Sequence, residues 1–272
     1  MDWNENVTLV TGGSSGIGAA LVREISRRGA RVIAAARRLD RLETLAGELS
    51  GSKGRVIPVA CDVTRREDLD GAVALALKEF GRLDTVIANA GFGVVGKFQD
   101  LSVDDYRRQF ETNVFGVIQT AYAGLEALTK SRGRLALIGS VAGYVPTPGS
   151  SPYSMSKFAV RSLAGSLRSE LAGEGISVTH IAPGFIESEI YQVDNAGLLH
   201  PDWRSPVPEW LRMDTSRAAR QIASAVLARR RELVVTGHGK AIVFLERHVP
   251  WVLRAVFSIA PEERRKARAP SR

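Results

Sequence analysis

Seven short apolar runs recur along the chain and never adjoin: "VTLVT", "RVIAAA", "RVIPVA", "DTVIAN", "RLALIGS", "ISVTHIAP" and "ELVVTG". Each is rich in β-branched or small apolar residues and bounded by Gly, Asp, Asn or Pro, which is the pattern of buried strands. Between them lie longer stretches of helical period, among them Ile17 to Arg28, Leu39 to Leu49, Glu67 to Phe80 and Ser216 to Arg230. Strands that alternate with helices cannot pair through hairpins. They call for a parallel sheet covered by helices on both faces, a doubly wound α/β fold. Right-handed crossovers then predict the strand order 3-2-1-4-5-6, with a seventh strand added at the edge. The chain has 272 residues, 44% of them hydrophobic, enough for one sizeable core. No repeat or interior linker divides it. A single domain is expected over residues 1–240, followed by a helical extension and basic tail over 241–272.

The first strand runs into "TGGSSGIG", with glycines at 12, 13, 16 and 18 where a helix begins. Glycine there serves a tight turn, close backbone approach to a pyrophosphate, and close packing of helix on strand. The helix N-terminus adds unpaired N–H groups and a positive dipole end. In this context the motif predicts a Rossmann-type dinucleotide site, although an ordinary structural turn would also use such glycines. At the end of the second strand Ala36 is followed by Arg37 and Arg38, with no acid at the position that would bind a ribose 2′-hydroxyl. Guanidinium groups suit a 2′-phosphate. NADP(H) is therefore expected over NAD(H).

Tyr153 and Lys157 stand four residues apart at the head of an apolar-periodic segment. On a helix they share a face. That spacing alone fits an ordinary surface pair as well as an acid beside its activating cation. Taken together, Thr11-Gly12-x-x-x-Gly16-Ile17-Gly18, Asp62, Asn89-Ala90-Gly91, Asn113, Ser140, Tyr153-x-x-x-Lys157 and Pro183-Gly184, in this order, resemble the short-chain dehydrogenase/reductase family, in its compact single-domain branch. The resemblance spans residues 7 to about 236. It implies an NADP(H)-dependent oxidoreductase that interconverts a carbonyl and a secondary alcohol, with transfer of the 4-pro-S hydride.

The resemblance also implies roles. Tyr153 is the general acid/base, its pKa drawn down by Lys157; Ser140 orients the substrate carbonyl; Lys157 also binds the nicotinamide ribose; Asn113 holds a water in a proton relay to Lys157. Ser140 has a second reading as a strand-end cap. Cofactor contacts are expected from Gly12, Ser14, Ser15, Gly16, Ile17, Gly18, Arg37 and Arg38. Asp62 and Val63 should meet the adenine, Asn89, Ala90 and Gly91 should line the dinucleotide, and Pro183, Gly184, Ile186 and Ser188 should contact it beyond the sixth strand. Two positions depart from the family pattern: Ala88 replaces the first of two asparagines, and Ser188 replaces a threonine. A non-catalytic NADP-binding sensor or scaffold of the same fold is the rival reading. The presence of Ser140, Tyr153 and Lys157 together argues against it. The Gly16-Ile17-Gly18 spacing and short C-terminal half argue against an extended-branch epimerase or dehydratase.

The Pro- and Trp-containing insert from Glu187 to Met213 is the expected substrate loop. Its Tyr191, Leu198, Leu199, Trp203 and Trp210 suggest a lipophilic ketone or alcohol, although aromatic residues in such a loop equally serve to pack it on the scaffold. The chain continues past Gly239, unlike the family's shortest members, among them 3-oxoacyl carrier-protein reductases. Of the net charge of +8, half falls in Glu246 to Arg272, where seven Lys/Arg face three Asp/Glu. That segment either packs on its own or a partner subunit's site, or lies as an amphipathic helix and basic tail on an anionic membrane. No nucleic-acid-binding motif is present, and a homodimer or homotetramer is implied by the resemblance. Cys61, the one cysteine, reads as a buried hydrophobe in a reducing compartment. Four histidines without ligand-like clustering predict no metal site. The N-terminus has no secretory pattern, so the expected location is cytoplasmic, with peripheral membrane contact as the alternative for the tail.

Overall fold

A computed structural model describes residues 2–259. The strands are β1 (Val7–Thr11), β2 (Arg31–Ala36), β3 (Arg55–Ala60), β4 (Thr85–Ala88), β5 (Arg134–Ile138), β6 (Ser177–Ala182) and β7 (Glu232–Val234). They form one parallel sheet in the order β3-β2-β1-β4-β5-β6-β7, the expected topology. Pro58 sits mid-strand in β3 without disrupting the sheet. β3 is an edge, so the N–H that proline lacks is not needed for a further neighbour.

Helices α1 (Gly16–Arg27), α2 (Leu39–Glu48) and α7 (Thr215–Leu227) cover one face, and α3 (Arg66–Phe80), α5 (Gly116–Ser131) and α6 (Ser151–Glu170) cover the other. Alternation along β1 shows how the sheet feeds both cores. Val10 joins Leu21, Ile25 and Ile222 on one side, while Val7 and Leu9 join Leu69, Val73 and Leu135 on the other. Helix α4 (Val103–Phe110) begins with a capping box made by Ser102 and Asp105. It runs into a π turn at Glu111–Phe115 before α5.

Beyond β7, α8 (Gly237–His248) and α9 (Pro250–Ile259) fold back, and Val243 and Leu253 bury against Tyr144, Val145 and Ala182. The division drawn at residue 240 thus falls inside α8. The basic stretch "ERRKARAPSR" lies outside the described residues. Among the described residues no helix is long and apolar enough to cross a membrane.

Candidate active site

The carboxyl ends of β1 to β6 open into a cleft of about 1860 Å³. Its floor at one end is the glycine turn. Gly12 and Gly16 adopt φ of +67° and +51°, the left-handed region that glycine enters without cost. A Cβ on Gly18 would lie 2.1 Å from the Gly12 carbonyl oxygen, so the helix sits on the turn at a distance no side chain permits. Asn89 fixes the turn from β4, its Nδ2 donating to the carbonyls of Thr11 at 2.9 Å and Gly12 at 3.1 Å.

Gly12, Ser14, Ser15, Gly16, Ile17, Gly18, Arg37, Arg38, Asp62, Val63, Asn89, Ala90, Gly91, Pro183, Gly184, Ile186 and Ser188 all line this one cleft. The two arginines differ. Arg37 is exposed at its lip. Arg38 turns inward, its Nη2 2.9 Å from Ser15 Oγ and 3.0 Å from Glu189 Oε2. Asp62 uses Oδ1 to accept from the Thr64 backbone and hydroxyl. Cys61 also reaches the cleft, but burial, then Asp68 and Asp62, push its thiol up to about 12. It is no nucleophile at neutral pH.

At the other end stand Ser140, Tyr153 and Lys157. Ser140 follows β5 by two residues and caps a short turn, its Oγ accepting from Ala142 N at 3.1 Å. A hydroxyl can accept there and still bond a second group. Ser140 does so, pairing with Tyr153. The cap reading of this serine holds, and the hydroxyl still reaches Tyr153. Lys157 is buried on α6, its Nζ donating to the Ile138 carbonyl at 3.0 Å and lying 5.6 Å from the centre of the Tyr153 ring.

One expectation needs correction. The Tyr153 pKa was expected to fall. Burial instead raises it, with the Ser140 hydrogen bond opposing. Burial also lowers the pKa of Lys157, to about 8. Asn113 does not line the cleft. Its side chain acts as a clamp. Oδ1 accepts from Phe92 N at 3.1 Å, and Nδ2 donates to Phe92 O at 3.0 Å and Ser156 Oγ at 3.3 Å. It thereby ties the loop after β4 to α6 from the π turn, a feature that often marks functional sites.

The Glu187–Met213 insert is more ordered than its composition suggests. Glu187 N donates to Met213 O and Met213 N to Phe185 O, both at 3.0 Å, closing its two ends together. Inside are turns at Glu189–Tyr191 and Glu209–Leu211 and a bridge between Val193 and Leu199. Tyr191, Leu198, Leu199 and Trp203 line the cleft. Trp210 does not, and is 83% exposed.

Sequence reading missed five residues here. Asn195 clasps the loop after β4, accepting from Val95 N at 3.0 Å and donating to Val95 O at 2.9 Å. Gln109 holds the same loop through Val94 N and Phe92 O. His238 and Ile242 reach the cleft from α8. Glu189 was passed over although it adjoins the Ser188 already singled out.

Residues 6–198 match the short chain dehydrogenase family. The chain belongs to that family. An uncharacterized oxidoreductase of Staphylococcus aureus (strain USA300) is 37% identical over 187 residues, covering 68% of this chain and 80% of the relative. Among solved structures, a short chain dehydrogenase from Burkholderia cenocepacia J2315 in complex with NADP superposes with a TM-score of 0.81 at 24% identity, covering 96% of this chain and 100% of its own. One from Burkholderia phymatum in complex with NAD gives 0.81 at 22%, covering 93% and 96%. Both likenesses concern the fold.

Proposed function

We propose that the protein is an NADP(H)-dependent oxidoreductase that interconverts a carbonyl and a secondary alcohol. The observation that carries this reading is the Tyr153 hydroxyl, hydrogen-bonded to Ser140 and one turn from Lys157, in the same cleft as the glycine turn. The cradle fits a dinucleotide: left-handed glycines, the unpaired N–H groups opening α1, and no Cβ to block approach. When bound, NADP(H) supplies or accepts the hydride. Tyr153 gives its proton to the substrate oxygen in reduction and removes the hydroxyl proton in oxidation. Burial raises its pKa, with the Ser140 hydrogen bond opposing, so it enters the reaction as the protonated phenol. Ser140 donates to the developing oxyanion. Lys157 supplies a fixed cation on the same helix face, and Asn113 positions α6 against the loop after β4.

Arg38, with Ser14 and Ser15, supports a 2′-phosphate. Ile190, Val193, Leu199, Trp203 and Ile242 support a lipophilic substrate. The reading includes a single nucleotide-binding domain over 1–240, with α8 completing the substrate end. The inward packing of Val243 and Leu253 favours intramolecular docking of the extension over a membrane seat. A cytoplasmic homo-oligomer completes it.

The test is Tyr153→Phe. NADPH oxidation over a panel of ketones, aldehydes and oxoacyl thioesters should fall roughly 100- to 10,000-fold, with NADPH affinity within about twofold. Unchanged turnover would refute the role given to the phenol.

A further inference from the structure

Glu189 opens the first turn of the lid, directly after Ser188. Its carboxylate lies between two guanidinium groups. Arg38 Nη2 donates to Oε2 at 3.0 Å and Arg41 Nη1 to Oε1 at 2.5 Å. The same Arg38 Nη2 stands 2.9 Å from Ser15 Oγ and 3.4 Å from Ser14 Oγ. Two guanidinium groups therefore converge on one acid beyond the carboxyl end of β2, and two hydroxyls of the glycine turn accept from one of them, Arg38. The side chains are 28%, 35% and 36% exposed for Glu189, Arg38 and Arg41, so solutes can reach them. Burial opposes ionisation of Glu189, but hydrogen bonds from Arg41 and Arg38 prevail and hold its carboxyl below the ordinary value. At neutral pH it is an anion.

A phosphate monoester offers three acceptor oxygens and between one and two negative charges, and guanidinium forks suit it as they suit a carboxylate. The donors that hold Glu189 are those a 2′-phosphate at this strand end would need. Two anions on the same donors repel. A ribose 2′-hydroxyl carries no charge and has no such quarrel with the acid.

We infer that Glu189 is a specificity-determining latch: it seats its own carboxylate where a 2′-phosphate would bind, and a 2′-phosphorylated dinucleotide must displace it. The inference rests on the NADP(H) reading above. Displacement also has a mechanical consequence. The lid is tied at its start by Glu189 and at its tip by Asn195 on Val95, so displacing the Glu189 carboxylate from Arg38 and Arg41 releases one of these ties.

The experiment compares wild type with Glu189→Gln by calorimetric titration with NADPH, NADH, 2′,5′-ADP and ADP, and follows residues 187–200 by hydrogen exchange. The variant should bind NADPH and 2′,5′-ADP about tenfold tighter, the scale of one relieved charge-assisted contact. NADH and ADP should change less than about twofold, which also shows that the variant is folded. In wild type, 2′,5′-ADP should speed exchange at residues 189–192 while ADP does not, and the variant should start at the faster rate. Unchanged or weaker 2′,5′-ADP binding by Glu189→Gln, or no exchange response, overturns the latch. Arg38→Ala separates the two readings. If it leaves 2′,5′-ADP binding intact, no phosphate seat exists at Arg38 and the latch falls with it. If wild type prefers NADH while Glu189→Gln gains 2′,5′-ADP, the latch stands and the NADP(H) preference falls.

Discussion

Lys157 shows in one side chain how function and stability pull apart. Its ammonium is buried on α6 with one hydrogen bond, to the Ile138 carbonyl, and burial brings its pKa down to about 8. The unfolded chain holds that proton up to about 10.4. Between pH 8 and that value the unfolded state binds more protons than the folded one, so this group makes the fold more stable as pH rises. Below pH 8 the charge is present in both states and the desolvation cost is borne in full. Lys157→Met removes the cost and the hydrogen bond together. Thermal denaturation of both proteins at pH 7 and pH 9.5 should show wild type gaining on the variant as pH rises, while the variant is inactive at both. A melting-temperature difference independent of pH would mean that the lysine is solvated in solution. On the proposed function, reduction should also slow above about pH 8, where the cation beside Tyr153 is lost, as a pH profile of NADPH oxidation would show.

At the scale of elements, the lid is held by few and specific contacts. Asn195 makes two hydrogen bonds to the Val95 backbone, while Ile186 and Met213 close the base. At about 1 kcal/mol for each net hydrogen bond, Asn195→Ala should weaken closure by about 2 kcal/mol, or roughly 30-fold. The expected result is a fall in kcat/KM of that order with NADPH affinity unchanged, checked by steady-state kinetics and direct titration. An equal loss of cofactor affinity would place Asn195 in the dinucleotide site instead. These ties also mark where sequence reading stops. Strands β1 to β6, the glycine turn, Ser140, Tyr153 and Lys157 are written in local runs and short motifs, each interpretable within about ten residues. Asn195 meets Val95 across 100 positions, and Glu189 meets Arg38 across 151. No local period encodes such pairs. Side-chain occupation is equally hidden: Asn113 was recognisable as part of a motif, but not as a clamp on Phe92. The rise at Tyr153 depends on how much burial surrounds the hydroxyl, which the four-residue spacing to Lys157 does not report.

At the scale of the whole molecule, the sheet order follows from strand sequence and crossover handedness alone, whereas the surface does not. The C-terminal elements were open to either inward or membrane packing, and the burial of Val243 and Leu253 favours the first. The π turn, α5 and α6 leave large apolar groups in water: Phe115 in the π turn, Tyr122 on α5, and Met155 and Phe158 on α6. Burying such a side chain is worth about 1.5–3 kcal/mol, so four of them are a reason for these helices to meet another copy. Met155 and Phe158 bracket Lys157 in sequence and lie on the same helix as Tyr153, so an interface there would brace the reacting groups from behind. Wild type should then run in light scattering at a multiple of 29.4 kDa. Met155→Glu combined with Phe158→Glu should shift it to the single-chain mass and lower kcat, because α6 loses its outer support. A wild-type protein that is monomeric at micromolar concentration, or a double variant that keeps its assembly, would show that these side chains face solvent for another reason.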